Sequence, residues 1–224
     1  MGSERVDESK AAQVAGRVTF EGEIPDNPLI RPASDPFCQR ETPPGTRFEN
    51  VVVGEGGGLE NVFVYITDRF GQYHFDIPTD PVKLDQVGCV YQPHVVGVRA
   101  GQPLEVTNSD DTLHNVNAMS QNNTSFNIGQ AVRGQKNTTT FTVRDVMVRF
   151  KCDVHPWMSA HAGVVEHPYF AVTADGGRFE LKNVPVGTYT IEAVHVRLGT
   201  QTQTVTLAEN DAREVSFTFK AKAN

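Results

Sequence analysis

Apolar and polar residues alternate in short runs along most of this chain, which is the period of half-buried β-strands. Residues 14–20 form the first such run, closed by a turn at 22–25. Between 60 and 67, Val62, Val64 and Ile66 alternate with Asn61, Phe63 and Tyr65, a strand that ends at Arg69-Phe70-Gly71-Gln72. The texture resumes at Val82 and predicts strands over 89–98, 103–108, 138–143, 146–151 and 162–166. Five more follow at 169–173, 178–181, 188–196, 202–207 and 213–220, punctuated by Asp175-Gly176-Gly177 and Pro185-Val186-Gly187. Asp-Gly and Gly-Gly supply the positive φ angles of tight turns. Two stretches break the pattern. Residues 26–58 carry Pro28, Pro32, Pro36, Pro43 and Pro44 and read as a long connection without regular helix. The Asn- and Gly-rich stretch 118–135 reads as a loop. With no capped helical period anywhere, the expectation is an all-β chain with the strand spacing of a sandwich.

The length, 224 residues, suits two small domains. No run approaches the ~18–20 apolar residues that cross a bilayer, so no transmembrane segment is expected. A net charge of -7 argues against a nucleic-acid partner. Residues 1–12 form a polar tail with neither a basic start nor an apolar core. The expectation is that a native secretion signal has been removed.

Chemistry concentrates between Phe150 and Met158, where Cys152, His155 and Met158 offer a thiol, an imidazole and a thioether within seven residues. Soft sulfur favours Cu(I), imidazole serves both oxidation states, and a His2Cys trigonal site with a weak axial Met is an electron-transfer copper set. A second imidazole is needed, and His114 is the candidate. Structural zinc sites want four Cys or His donors, for which Met is a poor substitute. A Cys-His nucleophile at Cys152 and His155 lacks any readable group to orient it. The two other cysteines, Cys38 and Cys89, are either a disulfide, implying an oxidising compartment, or two unrelated buried thiols.

Residues 91–165 resemble the cupredoxins, the type 1 blue copper proteins. The resemblance rests on Val98-Arg99-Ala100-Gly101-Gln102, Leu104-Glu105-Val106-Thr107-Asn108 and Leu113-His114-Asn115-Val116, followed by Cys152-Asp153-Val154-His155-Pro156-Trp157-Met158. That last stretch is similar to an amicyanin-like short ligand loop. Residues 172–181 and 184–191 resemble the carboxypeptidase regulatory-like, or transthyretin-like, β-sandwich, whose early strands Gly16-Arg17-Val18 and Val62-Phe63-Val64 can supply. The implied fold is all-β, a cupredoxin-like Greek-key β-sandwich plus a second small Ig/transthyretin-like β-sandwich. The implied division is a cupredoxin domain at 79–167 and a sandwich from 13–78 and 168–220, with the cupredoxin inserted or, alternatively, the two in sequence.

The resemblance implies one type 1 copper ion with His114, Cys152 and His155 as equatorial ligands and Met158 as the axial donor. Asn115 then ties the ligand loops together from behind. Trp157 marks an exit surface for electrons or packs under the loop. His94 and His161 are further imidazoles whose place near the metal is open. The implied function is non-enzymatic electron transfer with a redox partner protein, in the periplasm or elsewhere outside the cytoplasm. The alternative is extracytoplasmic copper storage or delivery.

Overall fold

The computed structural model describes residues 2–32 and 34–221. The chain opens with β1 (Ala12–Glu21), a six-residue helix α1 (Pro36–Glu41) and β2 (Phe63–Ile66). Next come β3 (Val82–Val87), β4 (Val90–Gln92), β5 (Val95–Arg99), β6 (Pro103–Asn108) and β7 (His114–Met119). These lead to β8 (Phe126–Gln130), β9 (Lys136–Thr140), β10 (Asp145–Lys151) and β11 (Ser159–Val165). The remainder holds β12 (Phe170–Val172), β13 (Arg178–Val184), β14 (Gly187–His195), β15 (Gly199–Leu207) and β16 (Ala212–Lys220). The fold is all-β, as the alternation predicts.

Two compact units share the chain. The first gathers residues up to Asp26, Asn50–Asp76 and those from His167 onward, and the second takes Asn27–Glu49 and Ile77–Glu166. The first unit has a sheet β13-β1-β16 and a sheet β12-β2-β14-β15. Val14, Val18, Phe217 and Phe219 from one sheet and Val64, Ile66, Ile191 and Leu207 from the other are buried in one core. Each such side chain contributes on the order of 1.5–3 kcal/mol by leaving water. β1 runs parallel to β16. That approach needs glycine at position 16, where a Cβ would lie 1.7 Å from the carbonyl oxygen of Val215.

The second unit is built the same way from a sheet β5-β11-β10-β7-β8 and a sheet β4-β3-β6-β9. Leu84, Leu104 and Val106 of the smaller sheet meet Val98, Val116, Phe150 and Ala162 of the larger one in a single core. β5 pairs in parallel with β11, and β3 with β6. The larger sheet carries the predicted donors at its strand ends, since His114 opens β7 and Cys152 follows β10 directly.

Three expectations need correction. The run 89–98 is not one strand. Gly88 and Cys89, with φ of 62° and 58°, form a two-residue turn between β3 and β4, and β5 starts only at Val95. Consecutive positive φ angles are what such hairpins require. The loop 118–135 contains the end of β7 and all of β8, an edge strand with little apolar alternation. Its buried Gln130 instead donates to the Val106 carbonyl (2.9 Å) and to Asn137 Oδ1 (3.0 Å). Finally, the proline-rich connection holds α1 despite Pro36. Proline is tolerated at the first helical position, and Asp35 caps the helix with Oδ1 accepting from the N–H groups of Phe37 and Cys38.

Candidate metal centre

The first donor loop is shaped by Asn108 at the end of β6. Its Oδ1 accepts from the Asp110 N–H at 2.9 Å and its Nδ2 donates to the Thr112 carbonyl at 2.9 Å. The turn so formed leads to His114, wholly buried at the start of β7. The second loop is closed by the Cys152 N–H donating to the Met158 carbonyl (3.2 Å) and the Met158 N–H to that of His155 (2.9 Å). Asn115 joins the two loops. Its Oδ1 accepts from the Asp153 N–H (2.6 Å), from the Cys152 thiol (3.3 Å) and from the Val154 N–H (3.4 Å). The Asp153 carboxylate in turn takes Asn115, Asn117, Asn127 and Lys151 as donors, which hold it well below the usual carboxylate range.

The structure brings three predicted donors together. His114 Nδ1 and His155 Nδ1 are 2.9 Å apart, and Cys152 Sγ lies 3.8 Å from His155 Nδ1. All three ligand atoms fall within 4.8 Å of one another, and all three residues are buried. A metal bonded at roughly 2.0 Å to nitrogen and 2.3 Å to sulfur in a trigonal arrangement would separate N from S by about 3.7 Å. The sulfur-to-nitrogen spacing fits such an ion, whereas the two nitrogens, which it would set about 3.5 Å apart, must move apart from 2.9 Å to admit it.

Two carboxylates behind the imidazoles set which nitrogen faces inward. His114 Nε2 donates to Asp110 Oδ2 at 2.9 Å, and His155 Nε2 donates to Asp35 Oδ2 at 3.0 Å. The two Nδ1 atoms therefore face each other, each on a ring whose Nε2 already holds a proton. Two acceptors at 2.9 Å repel unless a cation lies between them. A proton or a metal ion meets that need.

The charges around the centre follow from the same contacts. Burial opposes ionisation of Cys152, but hydrogen bonding with His114 and His155 outweighs it and brings the thiol down to about 6. Burial likewise disfavours the charged form of His114, while Asp110 and Cys152 raise it above its ordinary value. Asp35 is brought down to about 2, since the Cys38 N–H, His155, Thr112 and the Phe37 N–H overcome its desolvation. Asp110 is lowered against its own desolvation by His114 and the N–H groups of Cys89 and Gly88.

Sequence reasoning missed Asp35 and Asp110 as parts of this site. The readable signals were a helix-capping Asp before Pro36 and an acid four positions ahead of His114. Cys38 and Cys89 do form a disulfide, and Cys38 Sγ lies 3.7 Å from His155 Nε2. Met158 is buried in the same core as Cys152. Trp157 is half-buried, its ring 5.1 Å from that of His155 and its Nε1–H donating to the Cys89 carbonyl at 2.9 Å. His94 and His161 lie together, their rings 5.4 Å apart and His94 Nδ1 donating to the Ser159 carbonyl. Among the described residues, neither belongs to a cluster whose ligand atoms converge within 4.8 Å.

No protein-family model and no curated protein matches this chain. Solved structures do. A copper-containing nitrite reductase from Thermus scotoductus SA-01 is similar at 22% identity over 42% of this chain, with a TM-score of 0.37. The chain spans only 24% of that enzyme's length. A purple cupredoxin from Nitrosopumilus maritimus is similar at 20% identity, over 37% of this chain and 98% of its own, with a TM-score of 0.32. A reduced Cu(I) form of an amicyanin variant matches at 18% identity, over 45% of this chain and 97% of its own, with a TM-score of 0.35. The functional reading rests on the donor geometry.

Proposed function

We propose that this chain is a type 1 copper protein that carries single electrons, alone or as the redox module of a larger assembly. His114, Cys152 and His155 would hold the copper, and Met158 would offer it a thioether as a further donor. The observation that carries the reading is the pair of inward-facing Nδ1 atoms 2.9 Å apart, with the Cys152 sulfur 3.8 Å from one of them. Copper held there would supply a centre that cycles between Cu(II) and Cu(I). The chain's own part is to keep the donors in place in either state. Asn115 locks the thiol-bearing loop to the His114 strand, Asp35 and Asp110 hold the rings in one tautomer, and burial excludes water. Preorganised ligands of this kind orient and tune the metal.

The disulfide supports an extracytoplasmic, for instance periplasmic, setting. Donor and acceptor are then other redox proteins. Titrating metal-free protein with Cu(II) should produce an intense thiolate-to-copper visible band that Cys152→Ser lacks. A colourless complex overturns the reading.

Copper storage or delivery is the second reading of the same donor set. Fast, reversible electrochemistry supports the carrier. Sluggish electron exchange combined with ready transfer of Cu(I) to a chelator supports delivery.

A further inference from the structure

Among the described residues, 27–49 have no strand of their own, yet they bring Asp35 to the back of His155. The Asp35 carboxylate is fully used. Oδ1 accepts from the Phe37 and Cys38 N–H groups at 2.7 and 3.1 Å, and Oδ2 accepts from Thr112 Oγ1 and His155 Nε2, both at 3.0 Å. His114 has a matching arrangement, because Asp110 accepts from the Gly88 N–H (2.7 Å), the Cys89 N–H (2.8 Å) and His114 Nε2. Each carboxylate thus binds the backbone N–H of one half-cystine and the outer nitrogen of one imidazole. The Cys38–Cys89 disulfide joins the two backbones. Thr42 adds a second tie, donating to the Gly88 carbonyl at 3.1 Å.

We propose that Asp35 is a positioning residue for His155, held in place by the Cys38–Cys89 disulfide, so that a segment outside both sheets helps set the metal affinity and potential of the centre. The carboxylate holds the proton on Nε2, aims Nδ1 inward and covers the outer edge of the ring. Oxidation of the two cysteines keeps that carboxylate within reach. The statements about metal rest on the copper reading. The statement about the tautomer does not.

Asp35→Asn separates this role from helix capping, because Asn caps a helix as well as Asp. Its Oδ1 can still serve Phe37 and Cys38, while its amide replaces the acceptor facing His155. Nitrogen-15 NMR of metal-free protein should show His155 protonated on Nε2 in the parent, with a shift toward Nδ1 protonation in Asp35→Asn and after chemical reduction of the disulfide. In copper-loaded protein, Cu(II) affinity should fall about 10–100-fold in the variant. Cu(I) affinity should fall less, and each tenfold difference raises the one-electron potential by ~59 mV. A parent His155 that carries no proton on Nε2, or a variant whose Cu(II) affinity stays within twofold of the parent and whose potential does not rise, overturns the role of Asp35. An Nε2 signal unchanged by reduction overturns the role of the disulfide. If the parent forms no coloured copper complex, the copper reading fails while the NMR comparison still decides the tautomer.

Discussion

The Nδ1 atoms of His114 and His155 face each other at 2.9 Å across rings inclined at 72°. An arrangement of two lone pairs is stabilised by whatever cation sits between them, so ion binding should report directly on folding. Copper at a free concentration a thousand times its Kd should add about 4 kcal/mol to the stability of the unit that holds it. Calorimetry with and without a chelator measures this. His114→Gln should lose the increment, and an equal increment in that variant would count against the pair as the binding element.

Asn115 binds both loops through one oxygen. Asn115→Ala removes the acceptor of the part-buried Asp153 amide and should cost about 1 kcal/mol in metal-free protein. Denaturant unfolding should show a lower midpoint at constant m. An unchanged midpoint would mean that other contacts hold the loop.

Met158 is buried and touches the core around Cys152, so packing and ligation must be separated. Met158→Leu conserves volume and should cost less than about 1.5 kcal/mol. If the thioether is the axial donor, the copper spectrum and its paramagnetic resonance should change while stability hardly moves. Identical spectra would leave Met158 a packing residue alone.

The disulfide spans a sequence separation of 51 residues. On loop-closure entropy alone it contributes about 4 kcal/mol. Mass spectrometry of unreduced, denatured protein should find Cys152 as the single alkylated cysteine, and Cys38→Ser/Cys89→Ser should unfold at markedly lower denaturant. Alkylation of all three thiols would contradict this pairing.

In the first unit, burial and then Tyr73 and Asp68 push the Tyr189 phenol up to about 12. An unfolded tyrosine titrates near ~10. Between those values the folded chain binds more protons than the unfolded one, so stability falls as pH rises through this window and is fully retained below it. Tyr189→Phe keeps the ring against Phe70 and should flatten the alkaline decline. A decline of equal slope in the variant would assign it to other groups.

Much of this was legible in the residues and some was not, for reasons that differ from place to place. Alternation exposed the strands with one apolar face, such as β6 and β16, because burial there depends on a period of two. It missed β8, where Gln130 is buried by hydrogen bonding and not by apolarity. Pro36 concealed α1 because a proline that breaks a helix interior also starts one. The donors stood out because Cys, His and Met are chemically distinctive. Asp35 and Asp110 did not, since an acid behind a ligand is recognisable only once the fold has placed it there, in one case 120 positions from its imidazole.

β1 lies between β13 and β16, whose residues come more than 150 positions later in the chain. During synthesis its apolar face therefore waits for β13 and β16 to appear. The unit bearing the donor residues is complete at Glu166, before either neighbour of β1 has been made. Growth from the N-terminus thus lets the inner piece of the chain fold first, and the unit that begins the sequence is the last to close.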